Sequence, residues 1–151
     1  MGAAKYFEEF ELGETVTSRS RTIDGADIKM FSACTSLCSR IQTDAAYCAG
    51  IPGLGAPAVA GSHLLNLIDA FFAQVVSPDG IPTFHYGYDH VEFRKNVYRG
   101  DSVFTTFRLV DKTVRNEEFG VLTFEVNTYN QNGEVVVFHI DKLYCGRKPE
   151  A

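Results

Sequence analysis

Residues 63–76, HLLNLIDAFFAQVV, form a helical segment that is apolar around almost its whole circumference. Its polar side chains are few. Two of them, His63 and Asn66, are three residues apart, so both can point the same way near the N-terminal end. A helix that is hydrophobic on nearly every side is buried on most of them. The rest of the chain therefore has to wrap around this helix.

Strand patterns account for most of the chain after Pro82. Residues 119–129 alternate cleanly along the chain, and the Asn-Gly pair at 132–133 is a strong hairpin signal before the next strand. The predicted strands are 15–22, 84–95, 102–114, 119–129 and 134–145. One early strand, then helices, then four antiparallel strands predict a single α+β domain over residues 1–151. We expect a curved antiparallel sheet around the buried helix.

Another helix is predicted between the first strand and the buried helix. Asp24 is its candidate N-cap, and Asp27 three residues later can complete a capping box. Ile23 and Ile28 stand at the positions of a hydrophobic staple, and Phe31 continues the apolar face that Ile28 begins. The sequence therefore predicts that this helix begins directly after Asp24.

The formal net charge is −5, from 19 acidic and 14 basic residues. This balance argues against an extended contact with a nucleic-acid backbone, so no nucleic-acid partner is expected. No apolar run reaches the roughly 18–20 residues of a membrane-spanning helix, and the first residues lack the pattern of a signal peptide. The four cysteines lack the spacing of a secreted scaffold. Reduced thiols and a cytoplasmic protein without a membrane partner are predicted.

Several segments, taken together in order and spacing, resemble MaoC-like hot-dog proteins, the group that includes the (R)-specific enoyl-CoA hydratases. The segments are YFEEFELGE at 6–14, SRTIDGADIKMFSACTS at 20–36, FSACTSLCSRIQTDAAY at 31–47, GIPGLGAPAVAGSHLL at 50–65, DHVEFRKNVYRGDSVF at 89–104 and NQNGEVVVFHIDKLYCGRK at 130–148. The resemblance covers nearly the whole chain and implies a single hot-dog domain.

The resemblance also implies a ligand, a partner and a set of site residues. The ligand would be an acyl thioester carried by coenzyme A or acyl carrier protein, with no other cofactor. The protein would be a homodimer or a hot-dog heterodimer. The family's loop carries Asp, then His five residues later, then Asp two residues beyond. Those positions read here as Leu37, Gln42 and Asp44.

The replaced residues bear directly on the reaction. Hydration of an enoyl thioester needs a base for water, an acid for the α-carbon and donors for the enolate oxygen. Leu37 can exchange no proton, and Gln42 can hold a water but does not titrate near neutral pH. Two hypotheses follow: an enzyme with altered lyase or isomerase chemistry, or a non-catalytic acyl-thioester-binding module or silent subunit of a hot-dog hetero-oligomer.

Three residues are the catalytic candidates of the first hypothesis: His63, Gln42 and Asp44. His63 in the first turn of the buried helix would be kept neutral by the helix dipole. The alternative is a packed histidine hydrogen-bonded to Asn66 or a carbonyl. Asp44 could act as a carboxylate, but it stands before a helical segment and is an equally natural N-cap.

The substrate-binding candidates surround the same segment. Gly61 and Ser62 precede or open the buried helix, where free N–H groups can hold a thioester carbonyl, although Ser62 could simply cap the helix. Leu37 would make the pocket more apolar, and Ser39 lies in the same loop. Basic residues for coenzyme A phosphates are Arg40, Arg94, Lys95 and Arg99, which could equally be solvated.

The remaining histidines do not point to a metal. His85 and His90 differ by an odd number, so on one regular strand they face opposite ways. His139 alternates with Asp141 and predicts a strand with a polar face. Because no group of ligand residues has the sequence spacing of a zinc site, no metal is predicted.

Overall fold

The computed structural model of the protein describes residues 4–77 and 80–149. A short 3₁₀ helix at Phe7–Glu9 precedes the first strand. The α-helices are α1 Gly25–Thr35, α2 Arg40–Thr43, α3 Ala45–Ala49 and α4 Gly61–Val75. The strands are β1 Thr15–Thr17, β2 Arg21–Thr22, β3 Thr83–Phe93, β4 Ser102–Val114, β5 Phe119–Tyr129 and β6 Val135–Gly146.

The strands form an antiparallel sheet in the order β1-β4-β5-β6-β3, and β2 pairs with β4 beyond the end of β1. This arrangement confirms the predicted α+β class. The predicted strand 15–22 is divided in two at Ser18. There the Ser18 hydroxyl, instead of a backbone carbonyl, accepts the N–H of Thr105 at 2.9 Å. The side chain thus interrupts the ladder between β1 and β2.

Helix α4 is the buried helix that the sequence predicts, and it begins two residues earlier than expected, at Gly61. Phe72 meets Phe107 of β4 and Phe124 of β5 edge to face, with ring centroids 5.1 and 5.2 Å apart. These contacts place α4 against the inner face of the sheet. Its buried residues are Leu64, Leu67, Ile68, Phe71 and Phe72.

Helix α1 begins directly after Asp24, as predicted. The Asp24 carboxylate accepts the N–H groups of Ala26 at 2.7 Å and Asp27 at 3.1 Å, and Asp27 in turn accepts the N–H of Asp24 at 3.0 Å. This is a complete capping box. The helix has no fully buried residue among its eleven. It therefore lies on the surface, where it can form one wall of a cavity.

Gly120 of β5 should not tolerate a side chain. A Cβ atom there would overlap the ring of Phe7, which is only 4% exposed and has no free space to move into. We expect Gly120→Ala to lower the free energy of unfolding by about 1–3 kcal/mol. Chemical denaturation would measure it. Gly87→Ala is the matched control, because a Cβ at Gly87 meets nothing within 4 Å. Equal losses in both variants would contradict this packing.

Candidate functional site

A cavity of about 630 Å³ lies beside α1, in the region where the family resemblance places the site. Its walls come from one face of α1, from residues of α2 and α3, and from Ala56 and Pro57. Small side chains make most of the surface, which leaves room for an extended ligand. Three residues add longer polar side chains to the wall: Lys29, Gln42 and Arg99.

Gln42 is the candidate residue that the structure places in this cavity. The Ser39 hydroxyl lies 2.5 Å from its Oε1 atom and donates to it. The amide nitrogen has no protein acceptor within the described ranges, so it can donate to a ligand or a water. Leu37 is half-buried five residues earlier and does not line the cavity, and Ser39 contributes only by holding Gln42.

Asp44 acts as the N-cap of α3, the alternative that its position allowed. Its Oδ1 accepts the N–H of Tyr47 at 2.9 Å, and its Oδ2 accepts from Arg40 at 2.9 and 3.1 Å. The Tyr47 N–H and the Arg40 guanidinium lower the pKa of the Asp44 carboxyl. A carboxylate held in this way is a weak base.

The basic candidates differ in whether their side chains already form an ion pair within the protein. Arg40 pairs with Asp44, and its guanidinium lies over the Tyr47 ring at 4.1 Å. Arg94 pairs with Glu92, and Lys95 pairs with Glu134. Arg99 has no ion pair with the described residues and lines the cavity. Arg99, with Lys29 nearby on the same wall, therefore replaces Arg40 as the residue best placed for an anionic ligand group.

The N-terminal end of α4 has no capping side chain. The N-cap is Ala60, so the alternative in which Ser62 caps the helix does not hold, because Ser62 already lies inside the first turn. The first-turn N–H groups of Gly61 and Ser62 are consequently free of a side-chain cap. The Phe93 ring covers this end: a Cβ at Gly61 would lie 2.6 Å from Phe93 Cζ.

His63 lines a different cavity, of about 320 Å³. Its ring stacks on that of Phe31, with centroids 4.5 Å apart and planes at 3°. Burial lowers the pKa of the imidazole. The alternative hydrogen bond to Asn66 is not formed, because the Asn66 amide donates to the Ser62 carbonyl at 2.8 Å. The α1 residues around His63 lie on the face opposite the one that borders the large cavity, so α1 separates His63 from Gln42.

A polar cluster between α4 and the sheet was not predicted. The hydroxyl of Tyr88 lies 2.6 Å from both Asp69 carboxylate oxygens and donates to that group. His85 Nε2 lies 2.9 Å from Asp141 Oδ1. His139 is fully buried, and its ring meets that of Tyr88 edge to face at 5.3 Å. We call these five residues the inner polar cluster.

Burial controls the charge states in this cluster. It lowers the pKa of the His139 imidazole to about 4, so the ring is neutral at pH 7. Burial also raises the pKa of the Asp141 carboxyl, and it raises that of the Tyr88 hydroxyl with the help of the hydrogen bond to Asp69. The inner polar cluster therefore combines two acids with two histidines, of which Asp141 and His139 are buried and His85 is exposed.

The structure corrects two expectations from the sequence. The face with His139 and Asp141 is turned to α4 and buried, and the apolar neighbours Val137 and Leu143 on that face were the signal for it. The regular alternation assumed for His85 and His90 does not hold, because β3 shifts register between His85 and Gly87 and again between Asp89 and Glu92. His90 itself has a φ of 55°.

The fold is that of a hot-dog protein, as the resemblance seen in the sequence implies. Residues 11–139 match the family described as the FAS1-like dehydratase domain region. The chain belongs to this family. None of the helices within 4–77 and 80–149 is long and apolar enough to span a bilayer.

One curated protein is similar to part of this chain in sequence. The uncharacterized protein YdeM of Bacillus subtilis is 44% identical over 50 residues, which are 33% of this chain and 35% of YdeM. The match thus spans about a third of that relative's length.

Three solved structures show the same fold. The monoamine oxidase regulatory protein from Archaeoglobus fulgius superposes with a TM-score of 0.89 at 24% identity, over 97% of both chains. R-hydratase PhaJ1 from Pseudomonas aeruginosa gives a TM-score of 0.80 at 22% identity, over 95% of this chain and 86% of its own. A conserved hypothetical protein from Mycobacterium tuberculosis with a double hot-dog fold gives 0.83 at 13% identity, over 98% of this chain and 46% of its own.

Proposed function

We propose that this protein binds an acyl thioester, carried by coenzyme A or by acyl carrier protein, in the cavity beside α1. The observation that carries the proposal is the cavity itself, about 630 Å³ in volume with Lys29 and Arg99 on its wall. Ligand pockets of small molecules typically have volumes of about 300–1,000 Å³ and a few placed polar groups. The two cations suit the phosphate of a phosphopantetheine or coenzyme A.

The thioester carbonyl has two candidate donors. The Gln42 amide lines the cavity, and the free N–H groups of Gly61 and Ser62 lie at the positive end of the α4 dipole. Reaching the helix end would require the Phe93 ring to turn away, and the ring is 53% exposed and so has space to do this. Neither Gly61 nor Ser62 lines the cavity, so only a ligand that extends beyond it to the end of α4 would use these donors.

The acid and base of ordinary hydration are absent from the cavity wall. Among the described residues that line it, none is a histidine, an aspartate or a glutamate. We therefore propose that a single subunit binds the thioester without the standard hydration chemistry. A cavity without an acid or a base among its described lining residues is compatible with a binding module or a silent subunit.

His63 supports a second candidate function, altered lyase or isomerase chemistry. Its lowered pKa keeps the imidazole neutral and able to accept a proton at pH 7. If His63 is the base, the acyl chain has to extend from the large cavity around α1 into the cavity that His63 lines. Any turnover should then disappear in His63→Ala, and unchanged turnover would remove His63 from consideration.

Association through β3 is part of the proposal. This strand lies at the end of the sheet next to β6, and its edge carries the exposed aromatic residues Phe84 and Tyr86. A second copy, or a homologous hot-dog chain, could extend the sheet there. The double hot-dog fold of the Mycobacterium tuberculosis protein supports a two-domain arrangement for this architecture.

The binding proposal predicts a ligand-dependent rise in stability that depends on Arg99. A ligand present at 100 times its Kd should add about 2.7 kcal/mol to the free energy of unfolding. We expect crotonyl-CoA to raise the thermal midpoint of the wild type. We expect Arg99→Ala to weaken this binding about tenfold, because a hydrogen bond to a charged group contributes about 1.5–3 kcal/mol.

Arg94→Ala is the control, since Arg94 is already paired with Glu92 and lies outside the cavity wall. Its ligand-dependent shift should equal that of the wild type. The same titration with an acylated carrier protein separates the two carriers. No shift with either carrier would reject thioester binding, and equal shifts in both arginine variants would reject the role of Arg99.

A further inference from the structure

Three possible metal ligands converge from separate elements in the inner polar cluster. Asp69 comes from the middle of α4, His85 from the edge strand β3 and Asp141 from β6. One ligand atom from each residue lies within 4.8 Å of the other two. The three side chains also border one small cavity of about 190 Å³, which is large enough for a cation and its water molecules.

Asp141 supplies independent evidence that something is bound there. The residue is only 2% exposed, yet its Oδ1 atom has no hydrogen-bond donor within the described ranges. His85 Nε2 lies 2.9 Å away, within ion-pair distance, although no hydrogen bond joins the two atoms. A buried carboxylate oxygen without a partner costs free energy and requires an explanation. Asp141 borders the same cavity as Asp69 and His85.

The basic group beside Asp141 is the imidazole of His85. Among the described residues, no lysine or arginine forms an ion pair with Asp69 or Asp141. Tyr88 fixes the Asp69 carboxylate through its hydroxyl, as groups behind a metal ligand commonly do. His139 stands next to Tyr88 as a neutral ring with both nitrogens unpartnered in the described structure. Two carboxylates and the imidazole of His85 therefore border one cavity, and none of the described residues that line it is a lysine or an arginine.

We infer that Asp69, His85 and Asp141 form a binding site for one divalent transition-metal ion, of the class represented by Zn²⁺ and Mn²⁺. An imidazole with two carboxylates suits these ions, whereas Ca²⁺ and Mg²⁺ prefer ligand sets made only of oxygen. Zinc–ligand bonds are about 2.0–2.2 Å long. The 2.9 Å between His85 Nε2 and Asp141 Oδ1 already suits two neighbouring ligands of one ion. Water would complete the coordination from the cavity.

The bound ion would tie the edge strand to the central helix. No ligand comes from the wall of the large cavity, so the inference does not depend on thioester binding. The His85 side chain is 39% exposed, which gives an ion a path from solvent. Because the three ligands belong to α4, β3 and β6, binding should stabilise the folded chain over the unfolded one.

The experiment is a titration of the full chain with Zn²⁺ and, separately, Mn²⁺, after removal of metals with a chelator. Calorimetry should give one site per chain, and the thermal midpoint should rise with the ion. We expect His85→Ala and Asp69→Asn to weaken binding by at least about tenfold. His90→Ala is the matched control, because His90 is an exposed histidine of the same strand. It should bind like the wild type.

Exposed cysteines could bind zinc independently, so a Cys34→Ser/Cys38→Ser variant is included. It should keep the site. The inference is overturned if neither ion binds saturably to the folded wild type. It is also overturned if His85→Ala, with its circular dichroism unchanged, binds as tightly as the wild type, or if the cysteine variant alone loses binding.

Discussion

The Leu37→Asp/Gln42→His double variant should hydrate crotonyl-CoA at least about 10²-fold faster than the wild type. A general acid or base contributes about 10²–10⁴-fold to the rate, and the described residues of the wild-type cavity wall include neither a histidine nor a carboxylate. Gln42 already lines the cavity, so a histidine there would face the ligand. Loss of the enoyl absorbance would measure the rate. Leu37 is half-buried and does not line the cavity, so an aspartate there would act on the ligand through a water molecule.

Single variants are the controls for this result. Leu37→Asp and Gln42→His alone should each remain well below the double variant, because the acid and the base act on the same transition state. A wild type that hydrates as fast as the double variant would show that another pair of residues performs the reaction. If neither protein hydrates while both bind crotonyl-CoA, the replaced residues are not the reason for the loss.

Leu64→Ala should have the largest effect on stability among the variants considered. Leu64 lies in the first turn of α4 and is 4% exposed, so its removal leaves a cavity between the helix and the sheet. Leucine-to-alanine changes in cores typically cost about 2–5 kcal/mol. Urea denaturation would measure the difference in the free energy of unfolding.

The matched control for Leu64 is Leu12→Ala. Leu12 is 63% exposed, and removing its side chain should change the free energy of unfolding by less than about 0.5 kcal/mol. A loss at Leu64 no greater than the loss at Leu12 would mean that α4 is not packed against the sheet as described. The two changes remove the same atoms, so only their surroundings differ.

Most of the fold could be predicted because its signals are local. The apolar circumference of 63–76 predicted the buried helix, and alternation with an Asn-Gly turn predicted β5 and β6. The capping box at Asp24 and Asp27 fixed the start of α1 within a few neighbouring residues. Each of these signals depends on side chains that are close in sequence, where the spacing alone determines the geometry.

The candidate site was harder to predict because its geometry depends on packing between distant segments. Nothing in the sequence shows that α1 stands between His63 and Gln42, or that Arg99 rather than Arg40 reaches the cavity. The inner polar cluster joins residues as far apart as Asp69 and Asp141, so no sequence spacing could reveal it. Which of these distant residues lie close together is determined by how the helices and strands pack.

The two register shifts in β3 have a consequence for how the sheet can grow. An open strand edge is a template on which further chains can add without limit. Irregular pairing and the left-handed backbone of His90 bend this edge and break its row of hydrogen-bonding groups. Only a partner strand with matching irregularities could pair with this edge along its whole length. An edge strand of this kind is expected to be a poor template for open-ended polymerisation.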